Sequence, residues 1–350
     1  MSGYRHGGDH YRNVVDLDFS ISVNPFPLPE RVCQAMVFAL KRVGEYPDLQ
    51  QEKLKKALGH SRSVSGGCIL PGNGASELLL GVFHAIRPET TFSFIPDYNG
   101  YGYCSSAVGS QFIPTSDLLS GNDHRRFLHN MTNGDLLVFS HPNNPTGQLF
   151  SFEELSDIID CCKNAFGWIV IDASFLDLTE RANENWNFLR KKVEEYERLM
   201  VLTSVTKSFA LAGLRLGYLI GHKKTLARIG RHLPEWNISV LAEEAGIACA
   251  DEAQYLRRCA KDLQGLRADL AAELMQLGIQ SIPSQSNYLL LHTGYPLYQA
   301  LLKKRILIRD CRDFQGLTCG WYRLAVRTRK ENAKLLTAVR ECVRDWNDVK

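Results

Sequence analysis

Ser204-Val205-Thr206-Lys207-Ser208-Phe209-Ala210-Leu211-Ala212-Gly213-Leu214-Arg215-Leu216-Gly217-Tyr218 is the stretch on which the reading of this chain turns. One lysine stands among small hydroxyl residues, and one arginine follows eight positions later, two before a glycine. A lysine amine forms a Schiff base with an aldehyde when it is partly desolvated and held near an anion. Ser204, Thr206 and Arg215 could hold a phosphate beside that amine, with two hydroxyl donors and one fixed guanidinium. By itself the stretch also reads as a loop lysine and an ordinary arginine, so the flanking chain must decide.

Pyridoxal phosphate carries both an aldehyde and a phosphate, and the flanking chain offers places for its other parts. Leu199–Leu202 and Leu216–Ile220 read as strands on either side of the lysine. Upstream, Trp168–Ile171 reads as a strand with Asp172 at its end. A carboxylate there suits a buried cation such as a protonated ring nitrogen, or a helix cap. Leu136–Ser140 reads as a buried strand that runs into His141-Pro142-Asn143-Asn144-Pro145-Thr146-Gly147. This rigid turn offers Asn144 to a ligand oxygen. After the strand Thr91–Pro96, Tyr98 and Tyr101 are spaced to share a helical face, and one of them could stack on a flat ring. Gly74, Ala75 and Ser76 open a helix, where free N–H groups favour an anion or a simple cap. The repeat of strand, polar turn and helix predicts a mostly parallel sheet with its site at the carboxyl ends of the strands.

Bulk composition narrows the class. The 350 residues are 45% hydrophobic and 23% charged, with a formal net charge of +3. This is globular composition with room for a large and a small domain, and it argues against a dedicated nucleic-acid binder. Ten cysteines occur without a CxxC pair. Reduced, packed thiols are the expectation, with no metal site. The first residues lack an apolar signal core and no apolar run reaches membrane-spanning length, so a cytoplasmic, membrane-free protein is expected.

The two ends differ from the middle. Asn24-Pro25-Phe26-Pro27-Leu28-Pro29 must run extended, as an arm laid over something. Pro29 precedes a helix, and Tyr46-Pro47-Asp48 breaks it before a second helix near residues 49–59. Residues 223–275 read as long helices. Tyr288–Leu291, Arg305–Arg309 and Tyr322–Arg327 read as short strands, and residues 330–345 as a closing helix. The expected division is an arm and helix at 1–45, a large domain at 46–245 and a small α+β domain at 246–350.

In their order along the chain, Gly74-Ala75-Ser76, Tyr101, Asn144, Asp172, Ser204, Lys207 and Arg215 resemble the fold-type I pyridoxal-phosphate enzymes. Within that group the chain is most similar to the threonine-phosphate decarboxylase family of cobalamin synthesis, with the histidinol-phosphate aminotransferase family close by. The resemblance implies an α/β fold: a mostly parallel sheet with helices on both faces plus a smaller α+β domain. It implies pyridoxal 5'-phosphate bound to Lys207, with Asp172 holding the ring nitrogen protonated, Asn144 donating to the ring oxygen and Tyr101 stacked on the ring. Gly74, Ala75, Ser76, Ser204, Thr206 and Arg215 would form the phosphate site. Tyr46 would reach the phosphate of a neighbouring subunit, in a homodimer with shared sites. Arg323 and Arg309 resemble arginines for the two anions of a phosphorylated amino acid, and His6, Gly8 and Asn24 resemble an arm that touches the substrate.

The implied reaction is decarboxylation of L-threonine O-3-phosphate to (R)-1-amino-2-propanol phosphate. The alternative is an aminotransferase acting on histidinol phosphate or a related phosphorylated or acidic amine. Phe175, standing where the aminotransferases usually carry a tyrosine, favours the former. Ala173-Ser174, in place of the common Glu-Ala, is a departure from the pattern.

Overall fold

The computed structural model describes residues 7–119, 128 and 130–349. The described strands run, in chain order, β1 Leu17–Asp18, β2 Ile69–Gly72, β3 Thr90–Ile95, β4 Gln111–Asp117, β5 Leu136–Ser140, β6 Trp168–Asp172, β7 Leu199–Ser204, β8 Gly217–Ile220, β9 Gln280–Ser281, β10 Tyr288–His292, β11 Ile306–Leu307, β12 Arg309–Asp310 and β13 Trp321–Ala325. Seven of them form one sheet in the order β2-β8-β7-β6-β5-β3-β4. The pairs β3–β4, β3–β5, β5–β6 and β6–β7 are parallel, and β8 runs against both of its neighbours.

Sequence dictates this arrangement through burial on both faces. β5 and β7 are buried along their whole length, as unbroken apolar runs at the centre of a covered sheet must be. The helix Phe152–Asn164 shows how the covering is built. Ser151 and Glu154 form a reciprocal cap: the Ser151 hydroxyl accepts from Glu154 N–H, and the Glu154 carboxylate accepts from Ser151 N–H. Such a cap stabilises a helix start by about 1 kcal/mol. Leu155, Ile158, Ile159 and Cys162 then fall on one face and are buried.

Parallel register aligns the polar strand ends. Ser140 pairs with Asp172, Asp172 with Leu202, and Ser204 with Gly217, which itself pairs with Gly72. Every candidate turn therefore leaves the sheet at one edge, as expected for an open α/β sheet.

A second sheet, β12-β13-β10-β9, is antiparallel. The stretch 305–309, expected as one strand, is two. Ile306–Leu307 pairs in parallel with β1 of the arm, and Arg309–Asp310 pairs with β13. The chain changes sheets at Ile308, which is buried between them. Among the described residues no helix is long and apolar enough to cross a membrane, and no disulfide links the cysteines.

Candidate active site

Lys207 sits in a four-residue helix, Val205–Ser208, that follows β7 directly. Its amine opens into a cavity of about 280 Å³. Asp172, Asn144, Ser204, Thr206, Arg215, Ala75 and Ser76 line the same cavity, as do Arg309 and Arg323 from the second sheet. Elements separated by more than a hundred residues thus converge on one space.

Electrostatics prepare the amine. Burial, then the positive Arg323 and Arg215, pull Lys207 down to about 8, although Asp172 opposes them. An amine near 8 is partly unprotonated at neutral pH, as a nucleophile toward an aldehyde requires. Asp172 accepts from Ser174 N–H at 3.0 Å and from the Tyr101 hydroxyl at 3.1 Å. Burial pushes its carboxyl up, while the bonds from Ser174 and Tyr101 and the charge of Lys207 pull it down. A cation placed against it in the cavity would offset the burial cost. Behind it Asp97, also buried, accepts from Ser140 N–H at 2.9 Å and Tyr98 N–H at 2.7 Å.

Pyridoxal phosphate fits this donor set. Gly74 has φ +78°, and a Cβ there would stand 2.5 Å from Arg215 Nη2. Gly217 is similarly confined, because a Cβ would meet Ala75 N at 2.7 Å and Thr203 O at 3.0 Å. Only glycine lets β8, the turn before helix Gly74–Ile86 and Arg215 approach one another this closely, as a cradle for one small anion would require. Asn144 commits its oxygen to Arg323 Nη1, so its amide NH2 is the end left for a ligand oxygen. Arg323 also donates to Ser20 O at 3.1 Å, while its Nε is buried without a hydrogen-bond partner. A buried guanidinium N–H without an acceptor is costly, and a substrate carboxylate would satisfy it. Arg309 is shared by both oxygens of Asp313, at 2.8 and 2.9 Å.

Three expected placements, those of Tyr101, Gly8 and Asn24, change. Tyr101 is fully buried with its hydroxyl on Asp172, and Tyr98 is the tyrosine on the cavity wall. The helix begins at Gly100, so Tyr98 lies in the turn before it and shares no helical face with Tyr101. The two rings meet edge to face, 5.4 Å apart. Gly8 turns its N–H to the Ser20 hydroxyl at 2.7 Å, and Gly7 takes the place on the wall. Asn24 does not line the cavity. Its side chain is spent on Ser208 O, the Tyr255 hydroxyl and Phe26 N–H. Tyr46 is 80% exposed beside the Trp236 ring and away from this chain's own cavity. His6 lies outside the described residues.

Gly7 and Ser20 of the arm also line the cavity, with Ile21 and Phe314, which sequence reasoning did not single out. They carry no chemical signature of their own. Phe175 does line it, 5.6 Å from Lys207 Nζ, with its ring edge-on to Tyr288.

The family described as aminotransferase class I and II matches residues 14–339. Threonine-phosphate decarboxylase of Salmonella typhimurium is 31% identical over 334 residues, which cover 93% of this chain and 90% of that protein. Histidinol-phosphate aminotransferase 2 of Dechloromonas aromatica is 30% identical, over 85% of this chain and 86% of its own. Among solved structures, the histidinol-phosphate aminotransferase from Clostridium acetobutylicum superposes with a TM-score of 0.86 at 26% identity, covering 94% of this chain and 99% of that one.

Proposed function

Because this chain belongs to the aminotransferase class I and II family, we propose that it is a pyridoxal-phosphate enzyme that decarboxylates L-threonine O-3-phosphate. The observation that carries this reading is the pair of buried arginines, Arg323 and Arg309, lining the same cavity as Lys207. Two guanidiniums suit a substrate with a carboxylate and a phosphate.

The cofactor, pyridoxal 5'-phosphate, supplies an aldehyde and a ring that accepts the electron pair of a bond broken at the amine-bearing carbon. Lys207 would hold it and then move a proton at that carbon. Asp172 would hold the ring nitrogen protonated, and Ser76, Ser204, Thr206 and Arg215 would hold its phosphate. Tyr98 would flank the ring. Arg323 would orient the substrate by its carboxylate and Arg309 would take the second anion. Orientation selects the reaction. A carboxylate held perpendicular to the ring leaves as carbon dioxide, whereas a hydrogen held there is transferred instead.

Phe175 and the arm residue Gly7 on the wall support the decarboxylase reading, as does the similarity to threonine-phosphate decarboxylase. The second reading is an aminotransferase on histidinol phosphate or a related amine, favoured by the Clostridium structure. Supplying O-phosphothreonine separates them. Carbon dioxide released without a keto acid is the expected result. A keto acid with no carbon dioxide would refute the decarboxylase.

The reading extends to a homodimer. Val37, Phe38, Leu40, Val43 and Tyr46 are all exposed, and Trp236 lies beside Tyr46. Apolar surface of this kind calls for a cover, and a second copy would bring Tyr46 to its neighbour's phosphate. Sedimentation at twice the chain mass is expected, and Tyr46→Ala should weaken cofactor retention. A monomer at working concentration would overturn the shared site.

A further inference from the structure

Asn24 was expected against the substrate, yet it is 2% exposed and bonded to the turn that carries Lys207. Its N–H donates to Lys207 O at 2.9 Å. Its side-chain amide donates to Ser208 O at 2.8 Å and to the Tyr255 hydroxyl at 3.0 Å. Tyr255 belongs to the long helix Ala253–Gln276, and its ring stacks on Phe209 at 5.7 Å. The Asn24 oxygen accepts from Phe26 N–H at 3.1 Å, which keeps the side chain in one orientation. Three prolines at 25, 27 and 29 stiffen the arm immediately after it.

The Lys207 helix is one turn long, too short to hold its own geometry. Its last carbonyls would otherwise lack partners. We propose that Asn24 and Tyr255 form a clamp on the Lys207–Ser208 backbone, so that the arm and helix Ala253–Gln276 aim the lysine amine. Asn24 is thereby a positioning residue. Four residues upstream, Ser20 O accepts from Arg323, so the same arm touches the lysine turn and the arginine across the cavity.

The proposal rests on Lys207 carrying the cofactor but not on which reaction follows. Its test reads the cofactor-loaded protein without substrate. In Asn24→Ala, the pH midpoint of the near-visible absorbance should rise by about one unit. With its backbone loosened, the lysine nitrogen joined to the cofactor is reached more easily by water, which favours the protonated form. Hydrogen exchange at residues 205–209 should quicken, and kcat should fall by about 100-fold with KM changed less than about threefold. Tyr255→Phe keeps the ring and removes only the hydroxyl, so it should shift the midpoint the same way by less. This second variant decides the matter if Asn24→Ala does not fold. An unchanged midpoint and exchange, with KM raised more than about tenfold, would put Asn24 against the substrate and overturn the clamp. Lys207→Ala, which should keep the cofactor but lose the pH-dependent shift of its near-visible absorbance, tests the underlying assignment separately.

Discussion

Lys207→Ala is expected to cut kcat by about 10⁴-fold or more, because one side chain both joins the cofactor and moves the proton. The cofactor should still bind through its phosphate contacts, since Ser76, Ser204, Thr206 and Arg215 line the cavity independently of the lysine. Separating the two outcomes takes an absorbance spectrum after dialysis and a steady-state rate. Burial, Arg323 and Arg215 hold the Lys207 amine near 8. Cofactor-free wild-type protein should therefore capture the aldehyde faster as pH rises through about 8, where the amine loses its proton. Near-normal turnover in the alanine variant would remove Lys207 from the reaction altogether.

Arg62→Met is expected to lower the free energy of unfolding by about 3–5 kcal/mol. Arg62 and Asp177 form an ion pair at 2.7 Å, with both side chains largely buried beneath the lysine turn. Asp177 also accepts from the Ser208 hydroxyl at 3.1 Å and from Trp186 Nε1 at 2.8 Å. Arg62 donates to the Tyr218 hydroxyl at 2.8 Å and lies 4.0 Å over the Trp186 ring. Burial pushes the Asp177 carboxyl up, and Arg62 with these hydrogen bonds outweighs it, so the group sits below its ordinary value. A depressed carboxyl contributes stability that is present above the unfolded value, near 3.8, and is lost as pH falls through the folded one. Without Arg62, burial dominates and the sign reverses, so the deficit of the variant should shrink as pH falls. Urea unfolding at neutral and acid pH measures this. Arg62→Met combined with Asp177→Leu should recover much of the loss, because it leaves no buried charge alone. A single variant as stable as wild type at neutral pH would show that water reaches this pair.

The central strands were legible because they are apolar runs bounded by polar turns, and Leu136–Ser140 begins and ends where the pattern places it. Lys207, Asp172, Asn144 and Arg215 could be found because each carries chemistry at a strand end. Tyr98 was not separable from Tyr101, since spacing cannot show whether the first of two tyrosines precedes the helix. Asn24 was misread because an asparagine that holds a backbone and one that holds a ligand look alike in a string of letters. The split at Ile308 was hidden for the same physical reason. Both halves are short and buried, and only their partners, β1 and β13, tell them apart. Helix Ala182–Glu195 was passed over, for its mostly polar sequence shows the core only a few residues.

The ladder between Leu17–Asp18 and Ile306–Leu307 sets an order of assembly. A ribosome delivers residue 17 well before residue 306, and the whole seven-stranded sheet, complete at Ile220, emerges in between. The arm consequently waits unmoored while the large sheet is translated. The wall that Gly7, Ser20 and Ile21 contribute to the cavity is fastened only after the large sheet has emerged.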